Sequence, residues 1–399
     1  MRPLEGVKIL DLSRVLAAPF ATMILAEMGA EVIKVEQPGV GDEIRSYEPF
    51  FNGASAYFFT ANRSKQSLTL NLKDKRAQQI VRELAKQSDV IVENYTVGTL
   101  KHFNLDYPAI AEVNPRLVYV SVTGFGQDGP YAKRRGYDTV FQAMTGMTGL
   151  TGEIGGDPMK AGLPTADLSS ALWTAIAILT GLMGRNASGR GSYIDLSMTD
   201  AQVALLTIAA ARYFALGEVP QRMGTEHLGR VPSAAFKCAD GGWVHITCTD
   251  AYWPALCKVL GAKEPGIVDW GASPAAKTNA DRLQRRDEVM ARLRGATLHF
   301  ARDELVAACA AAGVPAGPVY GVDEIVADPH FQARGMVGSF DYPGAGPFPA
   351  LPVPLKFTGL DQPKLGRPPL LGEHTDAILR DRLGMDEPAI AQLRAEGAI

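Results

Sequence analysis

One acidic residue stands where a carboxylate could do chemistry. In "GLPTADLSSALWTAIAILTGLM" (162–183), Asp167 lies just ahead of an apolar run that begins at Ala171. An aspartate at the start of a helix has two uses. It can satisfy unpaired N–H groups and complement the helix dipole. It can also be held ionised and fixed, ready to act as a nucleophile. The stretch alone is compatible with both.

Other chemistries are excluded by what is missing around the expected turns. The first strand passes to the first helix through "LSRVLAAPFA", where Leu16 and Pro19 occupy the places that a dinucleotide fold gives to G-x-G-x-x-G. Without those glycines the backbone cannot approach a pyrophosphate in the usual way, so NAD is not expected. No G-x-x-x-x-G-K-[ST] or G-x-S-x-G is present, which removes P-loop ligation and the common hydrolase elbow. Cys238, Cys248, Cys257 and Cys309 form no C-x-x-C pair, and each reads as a small buried hydrophobe. No His, Cys, Asp and Glu cluster has metal-ligand spacing, so neither a metal nor a permanently bound cofactor is expected.

The elements that must position Asp167 read as an α/β fold. "VKILDL" (7–12), "AEVIKVEQP" (30–38), "DVIVEN" (89–94), "LVYVSVTGFG" (117–126) and "GSYIDLSM" (191–198) are buried-strand runs. Helices are expected between them, at "PFATMILAEMG" (19–29) and at 73–88, where Ala77, Ile80, Val81 and Leu84 recur at helical spacing. Strands alternating with helices imply right-handed crossovers and a parallel sheet covered on both faces. "AAFKCADGGWVHITCT" (234–249) signals a β-hairpin and a change of architecture. The expected division is a large Rossmann-like domain at 1–205, a linker at 206–225, a smaller α+β domain at 226–330, and a return segment at 331–399 that packs on the large domain.

Bulk properties narrow the class. The 399 residues are 46% apolar and 21% charged, with a formal net charge of −3, an ordinary soluble balance with no general field for nucleic acid or anionic membrane. The apolar run at 171–183 has 13 residues, short of the ~20 that span a bilayer, and reads as a core helix with Trp173 and Met183 inside. The chain enters a strand almost at once, which gives the expectation of a cytoplasmic protein.

Several stretches together resemble one family. "LEGVKILDLSRVLAAPFATMILAEMGAEVIKVEQPGVGD", "DVIVENYTVGTL", "SVTGFGQDGPYAKRRGYDTVFQAMTG", "GLPTADLSSAL", "GSYIDLSMTDA" and "LLGEHTDAIL" are similar, in order and over nearly the whole chain, to the family III CoA-transferases, the formyl-CoA and carnitine CoA-transferase group. The resemblance implies ring-shaped subunits that interlock as a homodimer, or a heteromer with a related subunit. It implies that Asp167 is the nucleophile, forming an aspartyl–acyl anhydride and then an aspartyl-CoA thioester, with acyl-CoA and a carboxylic acid as substrates. It further implies CoA contacts at Val15, Leu16, Ala17, Leu70, Lys73, Asn94, Tyr95, His102, Arg134 and Arg135.

Departures from the formyl-CoA pattern bear on the substrate. Leu16 replaces a glutamine, Gln37–Pro38 replaces a basic position, and no mobile glycine run is evident. "GDEIRSYEPF" and "RMGTEHLGRVP" are more similar to members that use succinyl-CoA and dicarboxylic acids. A distal carboxylate needs a cationic partner, for which Arg45, Arg222, His227 and Arg230 are the candidates. Two alternatives stand beside this reading. One is an α-methylacyl-CoA racemase, although Tyr137 occupies the place of that enzyme's histidine and is a poor base near neutrality. The other is a non-catalytic CoA-binding subunit of a heteromeric transferase.

Overall fold

Short runs of Val, Ile and Leu become the strands β1 (Lys8–Asp11), β2 (Glu31–Glu36), β3 (Gln66–Thr69), β4 (Val90–Glu93), β5 (Val118–Thr123) and β6 (Tyr193–Ser197). In the computed structural model, which describes residues 1–399, they form one six-stranded sheet in the order β3-β2-β1-β4-β5-β6. Every neighbouring pair is parallel, with Leu10 of β1 opposite Ile33 of β2 and Ile91 of β4. The order reverses between β1 and β4. In an open parallel sheet, ligands collect at the carboxyl ends of the strands beside such a switch point.

Helices cover both faces, as a sheet buried on two sides requires. On one face lie α1 (Ala17–Glu27) and α5 (Thr165–Ser188), packed on Val90, Val92, Val118 and Val120. On the other lies α3 (Lys75–Lys86), which is capped by the Asp74 side chain and buries Ala77, Ile80, Val81 and Leu84 as its spacing predicts. Two C-terminal helices, at Thr375–Leu383 and Glu387–Ala395, complete that core with Ile378, Leu379, Ile390 and Leu393. The return segment thus belongs to the first unit, which comprises residues 1–148, 160–217 and 329–399. It is tied to β3 by His374, whose Nδ1 accepts the Ser67 N–H at 3.2 Å. A hairpin of Gly338–Tyr342 and Gly346–Ala350 adds Phe340, Tyr342 and Phe348 around Phe59 of α2 (Ala56–Asn62).

The second unit holds residues 149–159 and 218–328. Its antiparallel sheet of Ser233–Lys237, Trp243–Thr247 and Ala316–Pro318 contains the expected hairpin. All four cysteines are unpaired and buried, and burial pushes the thiols of Cys248 to about 12 and of Cys257 and Cys309 to about 11. Two boundaries differ from the sequence reading. Residues 149–159 join the second unit because Arg222 donates to the Gly156 and Gly149 carbonyls and the Gly224 N–H bonds to Gly152. Half of the expected linker at 206–225 is the helix Thr207–Leu216, which ends at Gly217 in a left-handed conformation.

The α5 helix also departs from expectation. It runs 24 residues, well beyond the apolar run, and by length and composition alone it would pass for a membrane span. Ala171, Thr174, Ala175, Ile178 and Leu182 are buried, and Gly181 lets it approach β5, since a Cβ there would lie 2.7 Å from Val118 Cγ1. Trp173 and Met183 are not core residues: they are 40% and 72% exposed. A helix that is apolar all round needs partners all round, and this chain supplies them on one side.

Beneath the carboxyl ends of β1 and β2 lies a set of buried charges. Lys65 Nζ is 2.9 Å from Asp11 Oδ2 and also donates to Pro19 O and Asn62 Oδ1. Lys34 Nζ is 2.8 Å from Asp42 Oδ2, both side chains essentially without solvent contact. Burial alone would raise the Asp11 carboxyl, but Lys65 and Lys34 hold it down at about 2. Burial lowers Lys65 to about 8 despite Asp11. Removing one partner of a buried pair leaves an uncompensated charge, so Lys65→Met is expected to cost about 3–5 kcal/mol. Urea unfolding measures this, and a loss below about 1 kcal/mol would show that the pair does not anchor these strands.

Candidate active site

The sequence left Asp167 with two roles, and the geometry separates them. The α5 helix starts at Thr165, which puts Asp167 in its first turn, and Pro164 before it offers no capping side chain. The cap comes from elsewhere. Asp138, the first residue of α4 (Asp138–Met144), accepts the Ala166 N–H at 2.9 Å and the Asp167 N–H at 3.3 Å on its Oδ1. Gln142, one turn further along α4 and buried, donates from Nε2 to Asp138 Oδ2 at 2.6 Å and accepts the Ala161 N–H at 2.9 Å. The N–H groups that would ordinarily steady a first-turn aspartate are therefore engaged by another carboxylate.

Asp167 is left half-buried without an ion pair. Burial, and then the like charge of Asp138, push its carboxyl up to about 7. Tyr57 of α2 is nearby: burial, then Asp167 and Asp138, raise its phenol above the usual value. A carboxyl in this state is far more basic than one in water, near ~4, and greater basicity brings stronger nucleophilicity when it ionises.

Seven of the other candidates, Val15, Leu16, Ala17, Leu70, Lys73, Asn94 and Tyr95, follow the carboxyl ends of β1, β3 and β4 beside the switch point. A cavity of about 270 Å³ is lined by Arg14, Asp42, Leu70, Lys73, Tyr95 and Phe103, among others. These residues follow the carboxyl ends of β1, β2, β3 and β4. Asn94 does not line it but fixes one wall, accepting the Arg14 N–H at 2.8 Å and donating to Arg14 O at 2.7 Å. The Arg14 guanidinium then lies over the Tyr95 ring, 4.8 Å from its centroid. Val15 is in a left-handed conformation, Leu16 is buried, and Ala17 opens α1. The lining mixes aromatic and aliphatic groups with the cations Arg14 and Lys73 and the carboxylates Glu36, Asp42 and Glu43, so a nucleotide's phosphates would rest on Arg14 and Lys73.

The remaining residues fall elsewhere. His102 is exposed at the end of the helical turn Thr99–His102, one residue from Phe103. Arg134 and Arg135 are exposed, with Arg134 laid over the Tyr131 ring at 3.8 Å. Arg45 is not available to a substrate carboxylate, because Glu36 holds it in a two-pronged ion pair at 2.7 Å on each arm. Arg222 is occupied by backbone carbonyls of the second unit, where His227 and Arg230 also lie, and His227 Nδ1 accepts the Gly229 N–H. Arg14, Asp42, Asp138 and Gln142 were missed. The pairs that matter, such as Asp138 with Asp167, are set by folding and carry no fixed spacing that a sequence pattern could reveal.

Comparisons with known proteins bear on the family. A family model, CoA-transferase family III, matches residues 4–375. Succinyl-CoA:glutarate CoA-transferase of Mus musculus is 39% identical over 400 residues, covering 100% of this chain and 91% of the relative. The succinate–glutarate CoA-transferase of Agrobacterium fabrum is 36% identical over 387 residues, covering 95% of each chain. A crystal structure of a CAIB/BAIF family protein from Brucella suis superposes with a TM-score of 0.86 at 37% identity, over 96% of this chain and 99% of that one. A family model matched over residues 4–375 and relatives 36–39% identical over nearly the whole length lead to one assignment: the chain belongs to CoA-transferase family III.

Proposed function

We propose that this enzyme moves CoA from succinyl-CoA to a second dicarboxylic acid of the glutarate type, with Asp167 as the nucleophile. The observation that carries the proposal is the Asp167 carboxyl itself: without an ion pair, deprived of its helix N–H groups, and raised to about 7. The relatives' names support the choice of donor and acceptor.

In this mechanism the Asp167 carboxylate attacks the thioester carbonyl of succinyl-CoA. The C–S bond breaks, CoA leaves as thiolate, and a mixed aspartyl–succinyl anhydride remains. The thiolate attacks the aspartyl carbonyl, releasing succinate and leaving an aspartyl-CoA thioester. The acceptor's carboxylate attacks that thioester carbonyl and expels thiolate again, forming its own anhydride with Asp167. Attack of the thiolate on the acceptor's acyl carbon delivers the new acyl-CoA and restores the carboxylate. One thioester is exchanged for another, so no ATP is needed. Holding thiolate, anhydride and carboxylate together supplies the rate. The nucleotide end of CoA is assigned to the cavity around Tyr95, Leu70 and Lys73. The isomerase alternative gains nothing from Tyr137, which is 75% exposed.

A homodimer belongs to the same proposal. Leu172, Trp173, Ile176 and Met183 are exposed along α5, and Ile208 and Phe214 along the helix Thr207–Leu216; contiguous exposed apolar side chains mark interaction surfaces. A second copy is the proposed cover, and the four unpaired cysteines suit a reducing, cytoplasmic setting.

Four outcomes are expected. After mixing with succinyl-CoA and quenching with hydroxylamine, intact-mass and peptide mapping place a hydroxamate on Asp167 alone; labelling that persists in Asp167→Ala would refute the nucleophile. The labelling rate rises with pH through about 7 because the carboxylate is the reactive form, and Asp138→Asn moves that midpoint down by removing a like charge. A flat profile from pH 5 to 8 would count against the site. The folded carboxyl lies above its unfolded value, so the stabilisation from the protonated form is complete below about pH 4 and is lost as pH rises towards 7. The stability advantage of Asp167→Asn over the wild type should therefore grow across that window. Light scattering on the eluting protein should give twice 42.7 kDa, with Trp173→Arg/Met183→Glu shifting it to one chain; a wild-type monomer that pairs only with a related chain would replace the homodimer by a heteromer.

A further inference from the structure

The turn between β1 and α1 carries strain at a residue that no glycine relieves. Val15 has φ of +67°, a conformation in which a β-branched residue is a true outlier and persists only where its surroundings over-determine it. Those surroundings are unusually complete. The Val15 N–H lies between both oxygens of Asp42, 3.2 Å from each. Lys34 Nζ, 2.8 Å from Asp42 Oδ2, also donates to Ser13 O at 2.9 Å, so one buried ammonium grips the turn on both sides of Arg14. Arg14 itself is held through its N–H and its carbonyl by Asn94. Asp42 is positioned in turn by its own N–H, which donates to Glu36 Oε2 at 3.0 Å. Arg14 and Asp42 both line the cavity that contains Leu70, Lys73 and Tyr95.

We propose that Asp42, locked by Lys34, is a positioning residue that holds residues 13–16 in the shape that receives the nucleotide end of CoA. The inference rests on the assignment of that cavity to CoA. A turn that merely joined a strand to a helix would need no left-handed valine, and a glycine there would hold the same shape without a clamp. The chain uses valine and a buried ion pair instead, so the wall of the cavity is set by charge. Loss of the clamp lets Val15 relax to negative φ, which moves Arg14 off Tyr95 and changes the binding wall while leaving Asp167 on α5 untouched.

The test separates binding from chemistry. Calorimetric titration of free CoA into the full-length Asp167→Ala protein gives Kd without turnover, and steady-state kinetics with succinyl-CoA give KM and kcat. In Asp42→Asn, Kd and KM are expected to rise about tenfold or more with kcat within about twofold. Adding Val15→Gly to Asp42→Asn should restore most of the affinity, because glycine keeps positive φ unaided. Val15→Pro, which fixes φ near about −65° and leaves the Lys34–Asp42 pair intact, should weaken CoA as strongly as Asp42→Asn. If Asp42→Asn fails to fold by circular dichroism, Val15→Pro decides alone. Wild-type affinity in Val15→Pro, a loss of kcat at unchanged KM in Asp42→Asn, or no rescue by glycine in a folded double variant would overturn the clamp. A wild-type protein that binds no CoA would instead overturn the proposed function.

Discussion

The architecture around the site depends on a neutral set of buried charges at the carboxyl ends of β1 and β2. Asp11, Lys34, Glu36, Asp42 and Lys65 are buried, and Arg45 is nearly so, giving three cations and three anions with little solvent. Each also holds a backbone or hydroxyl group from a different segment. Lys65 reaches Pro19 O in α1, Lys34 reaches Ser13 O, Asp42 takes the Val15 N–H, and Glu36 takes the Ser67 hydroxyl at 2.7 Å. Apolar residues of equal volume would cost less to bury, but they could not fix four chain segments in one geometry. Ser67 in turn accepts the Gly372 N–H, which extends the network to the return segment.

A second carboxylate pair works in the opposite sense. Where the buried network neutralises charge, Asp138 and Asp167 face the same helix end with no cation between them. Asp138 takes the N–H groups and the amide of Gln142. Asp167 has no such partners, and burial and then the charge of Asp138 raise its carboxyl. Two groups of equal intrinsic acidity thereby sit in different states, one engaged by hydrogen bonds and one raised by burial and by its neighbour's charge.

The same helix links the site to the outside of the chain. Its buried face combines Ile178 and Leu182 with small Ala, Ser and Thr side chains, and Gly181 lets it lie close on β5, while Leu172, Trp173, Ile176 and Met183 are exposed. Large apolar groups ordinarily sit inside, and on this helix they are divided between the two sides.

Much of this was legible in the residues. Strand runs such as "VKILDL" and "DVIVEN", the spacing of Ala77, Ile80, Val81 and Leu84, and the missing glycine fingerprint follow from local rules: side-chain periodicity and turn sterics act over a few residues. Asp167 was legible as a helix-start carboxylate, while Leu70, Lys73, Asn94 and Tyr95 were grouped only through the family resemblance, and of these Leu70, Lys73 and Tyr95 line one cavity. Only the tertiary structure decided that Asp138, 29 residues earlier in the chain, caps that helix, that Glu36 takes Arg45, that 149–159 joins the second unit, and that Trp173 and Met183 face outward. Each of these is a pairing between distant segments, and hydrogen bonds, ion pairs and burial are properties of position in space. Sequence alone could name the carboxylate; its unpaired, raised state comes from which neighbours the fold assigns to it.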